Sequence, residues 1–523
     1  MSFLPSLFFM LLGSSFAQST TLFDTVSVET VDAELTTGNC TDCNLSEQAK
    51  WYFNNEIIAP LPTPASSLVK LPEWLEKQSE INDDIAVWIA SPDLIESAQL
   101  DASGQLISIK DGKKVPFKTV KQIPQNQSFW NQDTTAFFNQ RDIRLRGEWI
   151  DNKFIARTVW PLDFVITNFQ LLPLNADEDL QTLIQADDGG VRQPHQSRLL
   201  WERTPGSAMG AAGKPVFGLM LNGAQGDDHE ALAGHFAVIT GQFNTDGSYH
   251  DWLVNNFYNL DVISEKGILA AVTPMDNYLA DLNAGQNYYR PSYMLVATLK
   301  NGQAATEFQQ SINQVMNYFY RHEFLYNHAG ANCTGISIDT LRALGWEVPE
   351  RGINGYVQAI GAYFYTVITE MDLDAARQIY DYLITETTRL LPAVAFDAIG
   401  EDLIRLTATK PPRSLTPYEQ TLADSIEAIW FVRIPQIPSS RVSGDAPVYS
   451  FSEYLETAPD DRDEWVTIEL ATRDMPQSLK QQEPVNPRPS PIPWPIILIL
   501  FGLSSFIALS LRWMFNKSIS SLD

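Results

Sequence analysis

Two runs in the middle of the chain, KPVFGLMLNGA at 214–224 and GHFAVITG at 234–241, are apolar at nearly every position. A strand with one wet face alternates polar and apolar residues. Runs this short and this apolar read instead as buried strands. DGSYHDWLVNNFYNLD at 246–261 adds a turn and a third strand, and YYRPSYMLVATL at 288–299 a fourth. QAATEFQQSINQVMNYFYR follows at 303–321, with Phe308, Ile312, Val315, Met316 and Phe319 at helical spacing. Buried strands succeeded by an amphipathic helix predict an α+β fold with its core in this region.

The 523 residues are 44% hydrophobic, enough for two or three domains with sizeable cores. Acids outnumber bases 63 to 36, for a net charge of -27. Such a surface repels nucleic acid and anionic lipid headgroups, so neither is expected as a substrate held by charge.

Both ends carry membrane signals. MSFLPSLFFMLLGSSFAQ has an apolar run from Phe8 to Leu12, with Ser15 and Ala17 at minus three and minus one of a cut before Gln18. Residues 1–17 therefore read as a signal peptide. An uncleaved anchor is the alternative, and the run is too short to span a bilayer. From Trp494 to Leu511 there is no charge. With Trp513 and Met514 at its end, 494–514 approaches the ~20 residues of a spanning helix. Arg512 and Lys517 put the tail, 515–523, in the cytoplasm by the positive-inside rule. The expected location is the inner membrane, single-pass, with the bulk in the periplasm.

Between these ends, 18–80 is polar. The β-textured stretch 81–172 reads as a small antiparallel β domain, with DDIAVWIAS as a strand and hairpins turning at Asp111-Gly112 and Asp151-Asn152. A polar linker, 173–198, leads to a domain at 199–350. Residues 351–475 read as helical and extended, with helical pattern over about 354–405. Seven prolines between Pro476 and Pro495 make 476–493 a stiff stalk.

The chain has three cysteines. Cys40 and Cys43, in NCTDCN, most simply form a local disulfide in an oxidising compartment. A redox pair is a second reading, and zinc would need two further ligands. Cys333 is then left over, at the start of NCTGISIDTLRALG (332–345). Ile336, Thr340 and Leu344 line one face of a helix there, with Ile338 and Leu341 beside them and Gly345 as its stop. A helix N-terminus lowers a thiol pKa, and a nucleophile's own N–H at that place can donate to an oxyanion. The other reading is an inert, buried core cysteine.

A cysteine nucleophile needs a base. The six histidines are His195, His229, His235, His250, His322 and His328, all before Cys333. His235 opens the strand GHFAVITG, which would hold its ring rigidly. His328 is close to the cysteine in sequence, and His250 precedes the next strand.

NCTGISIDTLRALG resembles the nucleophile helix of NlpC-type, papain-like cysteine peptidases, whose pattern is Asp-Cys-Ser-Gly, apolar helix positions and a closing Leu-Gly. GHFAVITG resembles their histidine strand, His-Val-Gly-Ile-Tyr-Leu-Gly. Here the histidine comes first. That order resembles the circularly permuted branch, with its lecithin retinol acyltransferase-like proteins. It also resembles periplasmic domains related to the N-terminal domain of lacto-N-biosidase. FLYNHAGANC fits their layout of a Tyr-containing segment before an Asn-Cys helix. The likeness covers roughly 200–350.

The resemblance implies a permuted papain-like domain, an antiparallel sheet packed on the nucleophile helix. It implies Cys333 as nucleophile, His235 as base and a third polar residue on the strand after the histidine. With a turn at Asp246-Gly247, Tyr258 lies opposite His235 and Asn256 lies diagonal on the same face. Asn256 is the candidate, and His250 serves if the hairpin is shorter. Asn332 is expected to cap the helix. The implied activity is a thiol hydrolase or acyltransferase working through an acyl-enzyme on an amide or ester in the cell envelope. The substrate would be a peptide, lipid or protein, with no cofactor and no metal.

Two other readings stay open. One is a catalytically silent papain-like scaffold. The other is a metal-dependent hydrolase using Asp227, Asp228, His229, Glu230 and His235, whose histidine spacing does not suit a zinc helix. Nothing in the residues fixes an oligomeric state. Asn39, Asn44, Asn126 and Asn332 head sequons that matter only in a eukaryotic secretory pathway.

Overall fold

The computed structural model describes residues 57–60, 87–90, 93–100, 106–108, 112, 114–119, 136–185, 194–223, 234–259, 268–282, 291–320, 331–352, 356–411, 413–435 and 437. The expected signal peptide, the Cys40–Cys43 pair, the stalk and the apolar segment 494–514 lie outside these. Among the described residues no helix is long and apolar enough to cross a membrane.

The fold is α+β. Its main unit holds two sheets. Strands β1 (Ile57–Pro60), β2 (Val87–Ala90), β9 (Gln196–Glu202), β10 (Pro215–Asn222), β11 (His235–Gln242), β12 (Leu253–Asn259), β13 (Ile268–Pro274), β14 (Ser292–Leu299) and β15 (Ile426–Ile434) form a nine-stranded sheet. Its order is β1-β2-β13-β12-β11-β10-β14-β15-β9. Strands β3 (Asp93–Leu100), β4 (Leu106–Ser108), β5 (Lys114–Val115), β6 (Phe117–Thr119), β7 (Ile143–Ile150) and β8 (Lys153–Pro161) form a second sheet. Pairing is antiparallel except between β2 and β13 and between β6 and β8.

Helices of the same unit are α1 (Leu180–Gln185), α2 (Gln303–Tyr320), α3 (Cys333–Ala343), α6 (Thr387–Leu390), α7 (Pro392–Leu406) and α8 (Pro417–Ser425). A second unit contains α4 (Tyr356–Glu370) and α5 (Leu373–Ile384), packed through Ala359, Tyr363, Ala376 and Tyr380. The helical pattern read over 354–405 is thus α4 to α7.

The central strands are mostly apolar because the nine-stranded sheet is covered on both faces. Phe217, Leu219, Leu221, Phe236 and Val238 join the helices in one core. Val216, Met220, Ala237 and Ile239 join Leu145, Phe154 and Ala156 of the second sheet in another. The DDIAVWIAS strand joins the nine-stranded sheet as β2, and the strands after it build the second.

Four charges, three buried and one (Asp251) half-buried, tie the two sheets together. Arg144 and Arg146 of β7 meet Asp251, just before β12, and Asp276, just after β13. The Arg144 guanidinium donates to both oxygens of Asp251, at 2.8 and 3.2 Å. Nε of Arg146 reaches both oxygens of Asp276, at 2.9 and 2.8 Å, and its Nη2 lies 3.1 Å from Asp251. Buried arginine survives here because each guanidinium meets carboxylates: Arg144 grips Asp251 with a two-nitrogen fork, and Arg146 bridges Asp276 and Asp251.

Candidate active site

Helix α3 has poor intrinsic propensity, with Thr334, Ile336, Ile338 and Thr340 all β-branched. Packing and capping hold it instead. Asn332 is extended, with φ −88° and ψ 179°, and its side chain accepts the Gly335 N–H at 2.7 Å. Its Nδ2 donates to the Leu390 carbonyl at 3.1 Å. At the other end Gly345 takes φ +101°. There the amides of Gly345 and Trp346 close back onto the carbonyls of Arg342 and Leu341, a Schellman stop. Ile336, Ile338 and Leu341 sit in the helix-side core. Asn332 is buried between these partners, which leaves no room for a glycan. Asn332→Ala should cost about 1–2 kcal/mol, read as a lower urea midpoint; an unchanged midpoint would mean the cap is dispensable.

The cap places Cys333 in the first turn, where backbone N–H groups have no intrahelical partner. His235 is the first residue of β11. Its Nε2 lies 2.6 Å from Oδ1 of Asn256. An amide oxygen only accepts, so Nε2 carries the hydrogen and Nδ1 is left for the thiol. The thiol meets the His235 side chain, the Phe236 amide and Oγ1 of Thr334, the last at 3.7 Å. Burial pushes the Cys333 thiol up. The imidazole opposite it, aided by the three hydrogen bonds, outweighs burial and brings it down to about 7.

The sheet opens to admit the thiol. β11 pairs with β10 as far as His235, but its described pairing with β12 stops at Val238↔Asn255. Beyond that point the Phe236 N–H turns to the sulfur. A buried polar network sits beside the opening. Gln309 of α2 accepts from Thr240 at 2.7 Å and exchanges hydrogen bonds with Asn255, while its Nε2 also reaches Asn313 at 2.9 Å. This locks α2 onto β11 and β12 where the ladder ends. Neither the Phe236 amide nor Gln309 was singled out in the sequence; a glutamine on the apolar stripe of 303–321 was the available signal.

The turn lies at Asp246-Gly247, as expected. Asp246 accepts the Ser248 N–H at 2.9 Å, and Gly247 takes φ +75°. A Cβ there would stand 2.3 Å from the Ile166 carbonyl oxygen, so only glycine fits. The register that follows is Thr240↔Leu253, Ile239↔Val254 and Val238↔Asn255, and the described pairing ends there, short of His235.

Structure separates the two candidates for third residue. Asn256 is fully buried at the imidazole. His250 lies 3.2 Å from Asp251, in the charge network between the sheets. His195 stacks on Phe164 and meets the Tyr249 hydroxyl at 3.0 Å; burial, with Arg433 and Arg141 nearby, pushes it down to about 4. His229, His322, His328 and the acids 227, 228 and 230 lie outside the described residues. Among the described residues no three His, Cys, Asp or Glu side chains converge on one point that could hold a metal.

No family model matches the chain, and searches of curated proteins and of solved structures return no significant match.

Proposed function

We propose that this chain is a cysteine-dependent hydrolase or acyltransferase on a permuted papain-like domain, with Cys333 as nucleophile, His235 as base and Asn256 orienting the imidazole. The single observation that carries the reading is one imidazole shared between a buried thiol and an amide oxygen. The histidine strand preceding the cysteine helix, and an antiparallel sheet packed on that helix, support the permuted order.

In the proposed reaction Nδ1 of His235 takes the thiol proton. The thiolate adds to a carbonyl carbon, and the π pair moves to oxygen, where the Cys333 N–H donates. The oxyanion collapses to a thioester and expels an amine or alcohol, which takes the proton from the imidazolium. Water or an amine, deprotonated by His235, then adds to the thioester and releases the thiolate. The setting we propose is the cell envelope, anchored by 494–514, with a peptide, lipid or protein as substrate.

Burial of all three residues favours a second reading, a silent scaffold; Cys333 is 6%, His235 1% and Asn256 0% exposed. Acylation decides between them. Incubation with p-nitrophenyl acetate should release p-nitrophenol and leave an acetyl group on Cys333, seen by peptide mass spectrometry. Cys333→Ala should lose both signals. A wild-type thiol that iodoacetamide labels but the ester never acylates would support the scaffold.

A further inference from the structure

Helix α4 is apolar on every side. From Tyr356 to Thr369 it carries no charge, and apart from Gln358 and two threonines each residue there is aliphatic, aromatic or glycine. Such a helix is stable only when more than one of its faces is covered. Among the described elements, α5 is the one that packs along its length. Tyr356, Tyr365 and Ile368 stay exposed, as do Met371 and Leu373 at the turn into α5. The stem of this hairpin is fixed. The Thr387 N–H and hydroxyl both reach the Arg351 carbonyl at 2.8 Å, so the chain returns where it left.

Ala359 and Tyr363 lead the contact with α5, which spreads from them to Ile360, Phe364 and Val367. Ala362 and Thr366, one turn apart, form a row on the other side of that pair. At 3.6 residues per turn the row points about 110° away from the centre of the α5 face. Both residues are buried nonetheless, Thr366 completely. The Thr366 Oγ1 has no partner among the described residues. Thr340 and Thr369 turn their hydroxyls back onto the carbonyl four residues earlier, at 2.8 and 2.9 Å. Thr366 does not, so its hydroxyl is left for a group outside the helix.

Residues 494–514 have the matching chemistry. They are uncharged up to Leu511 and hold Gly502, Ser504, Ser505 and Ala508 at their centre. Ser504 and Ala508 lie four apart with Ser505 beside them, the spacing of small residues that lets two apolar helices approach closely. Serine and threonine hydroxyls hydrogen-bond across such seams. Residues 438–493 supply roughly 180–200 Å of extended chain after Ile437, ample to bring the segment back to α4. An acyl chain of a lipid has no group for the Thr366 hydroxyl. A second copy would have to be recruited from solution, whereas 494–514 is held close by its own chain. We infer that α4 is the docking face for 494–514 of the same chain, seated on Ala362 and Thr366, with the Thr366 hydroxyl paired to Ser504 or Ser505. This is independent of the Cys333–His235 reading.

The test uses the full chain, reconstituted in phosphatidylcholine vesicles and carrying Cys40→Ser, Cys43→Ser and Cys333→Ala. Into this background Ala362→Cys is combined with a cysteine substitution at each position from Gly502 to Leu509 in turn. Copper phenanthroline with oxygen oxidises thiol pairs whose Cα atoms come within about 7 Å. Mixing light and heavy-isotope chains before reconstitution separates bridges within a chain from bridges between chains in the peptide mass spectrum. Intrachain bridges should recur every three or four positions along the segment, the period of a helix face. Their yield should be at least about tenfold above that from Tyr365→Cys, on the exposed side of α4. Thr366→Cys, close in size to threonine, repeats the scan should the Ala362→Cys chain misfold, and its maxima should lie about one turn from those of Ala362→Cys. Interchain bridges alone would assign the face to a second copy and overturn the inference. Bridges without a helical period would overturn it too. So would the absence of any bridge, whether the Ala362→Cys thiol then reacts with a water-soluble maleimide or only with a lipid-borne one.

Discussion

In His235→Ala, alkylation of Cys333 by iodoacetamide should reach half its limiting rate at a pH roughly two units or more above the wild-type midpoint of about 7. Burial is the largest influence on this thiol and pushes it up; His235 supplies the main opposing pull. Without the imidazole, the Phe236 amide and Thr334 still act against burial, but the main opposing pull is gone. The thiol then lies at or above the ~8.5 of a free cysteine. At pH 7 the thiolate fraction falls from about a half to about one in a hundred. The rate falls less, by about sixfold, because a more basic thiolate is the better nucleophile. Thiolate forms above each midpoint, so both rates rise with pH; the mutant curve crosses the wild-type curve between the two midpoints and ends higher in alkali, because its thiolate is the better nucleophile. Identical midpoints in the two proteins would mean that the pair is not coupled.

Arg146→Met should cost about 3–5 kcal/mol of stability, read by urea unfolding followed through tryptophan fluorescence. Methionine replaces the stem but leaves Asp276, which is 0% exposed, with Arg144 Nε at 3.3 Å as its remaining cation. Asp251 loses one of its two arginines. Adding Asp276→Asn should restore part of the loss, because an unpaired buried amide costs less than an unpaired buried charge. The sign of the pH dependence follows from Asp251. Burial raises its carboxyl, but His250, Arg144 and Arg146 outweigh burial and hold it well below the usual carboxylate range. Its contribution is therefore complete above about pH 4 and is lost as pH falls further. The deficit should be constant between about pH 5 and 8 and narrow in acid. A loss under about 1 kcal/mol would show that water relieves the abandoned carboxylates.

Sequence made the site's local geometry legible because short-range rules govern it. A cap residue, a stop glycine and a turn at Asp246-Gly247 each leave a signature within a few residues, and a hairpin's register follows from its turn. Those rules led to Asn332, Gly345 and the diagonal placement of Asn256. What closes the sheet was harder to see. The strand IEAIWFVRI at β15 lies far from β14, its neighbour on one side, and from β9 on the other. No local rule links segments so distant. The run 173–198 reads as a polar linker, yet α1 lies inside it and β9 begins at its end. Leu180 and Ile184 are buried there among charged neighbours, an amphipathic pattern too short to stand out. The choice between Asn256 and His250 was likewise open in the sequence. Asp251 settles His250's position from a charge network that is assembled only when the two sheets meet.

The place of β15 in the sheet has a consequence for when the thiol comes to rest. β9 finds its partner in β15, a strand synthesised after Cys333, His235 and Asn256 alike. While the chain emerges, one edge of the half-built sheet waits for a strand that has not yet been made. Non-local closure of this kind is slow, because the loop entropy is spent before any contact repays it. The nucleophile is thus synthesised before the strand that completes its sheet, and seated after it. A nascent chain stopped short of residue 426 would carry all three site residues without a finished sheet beneath them.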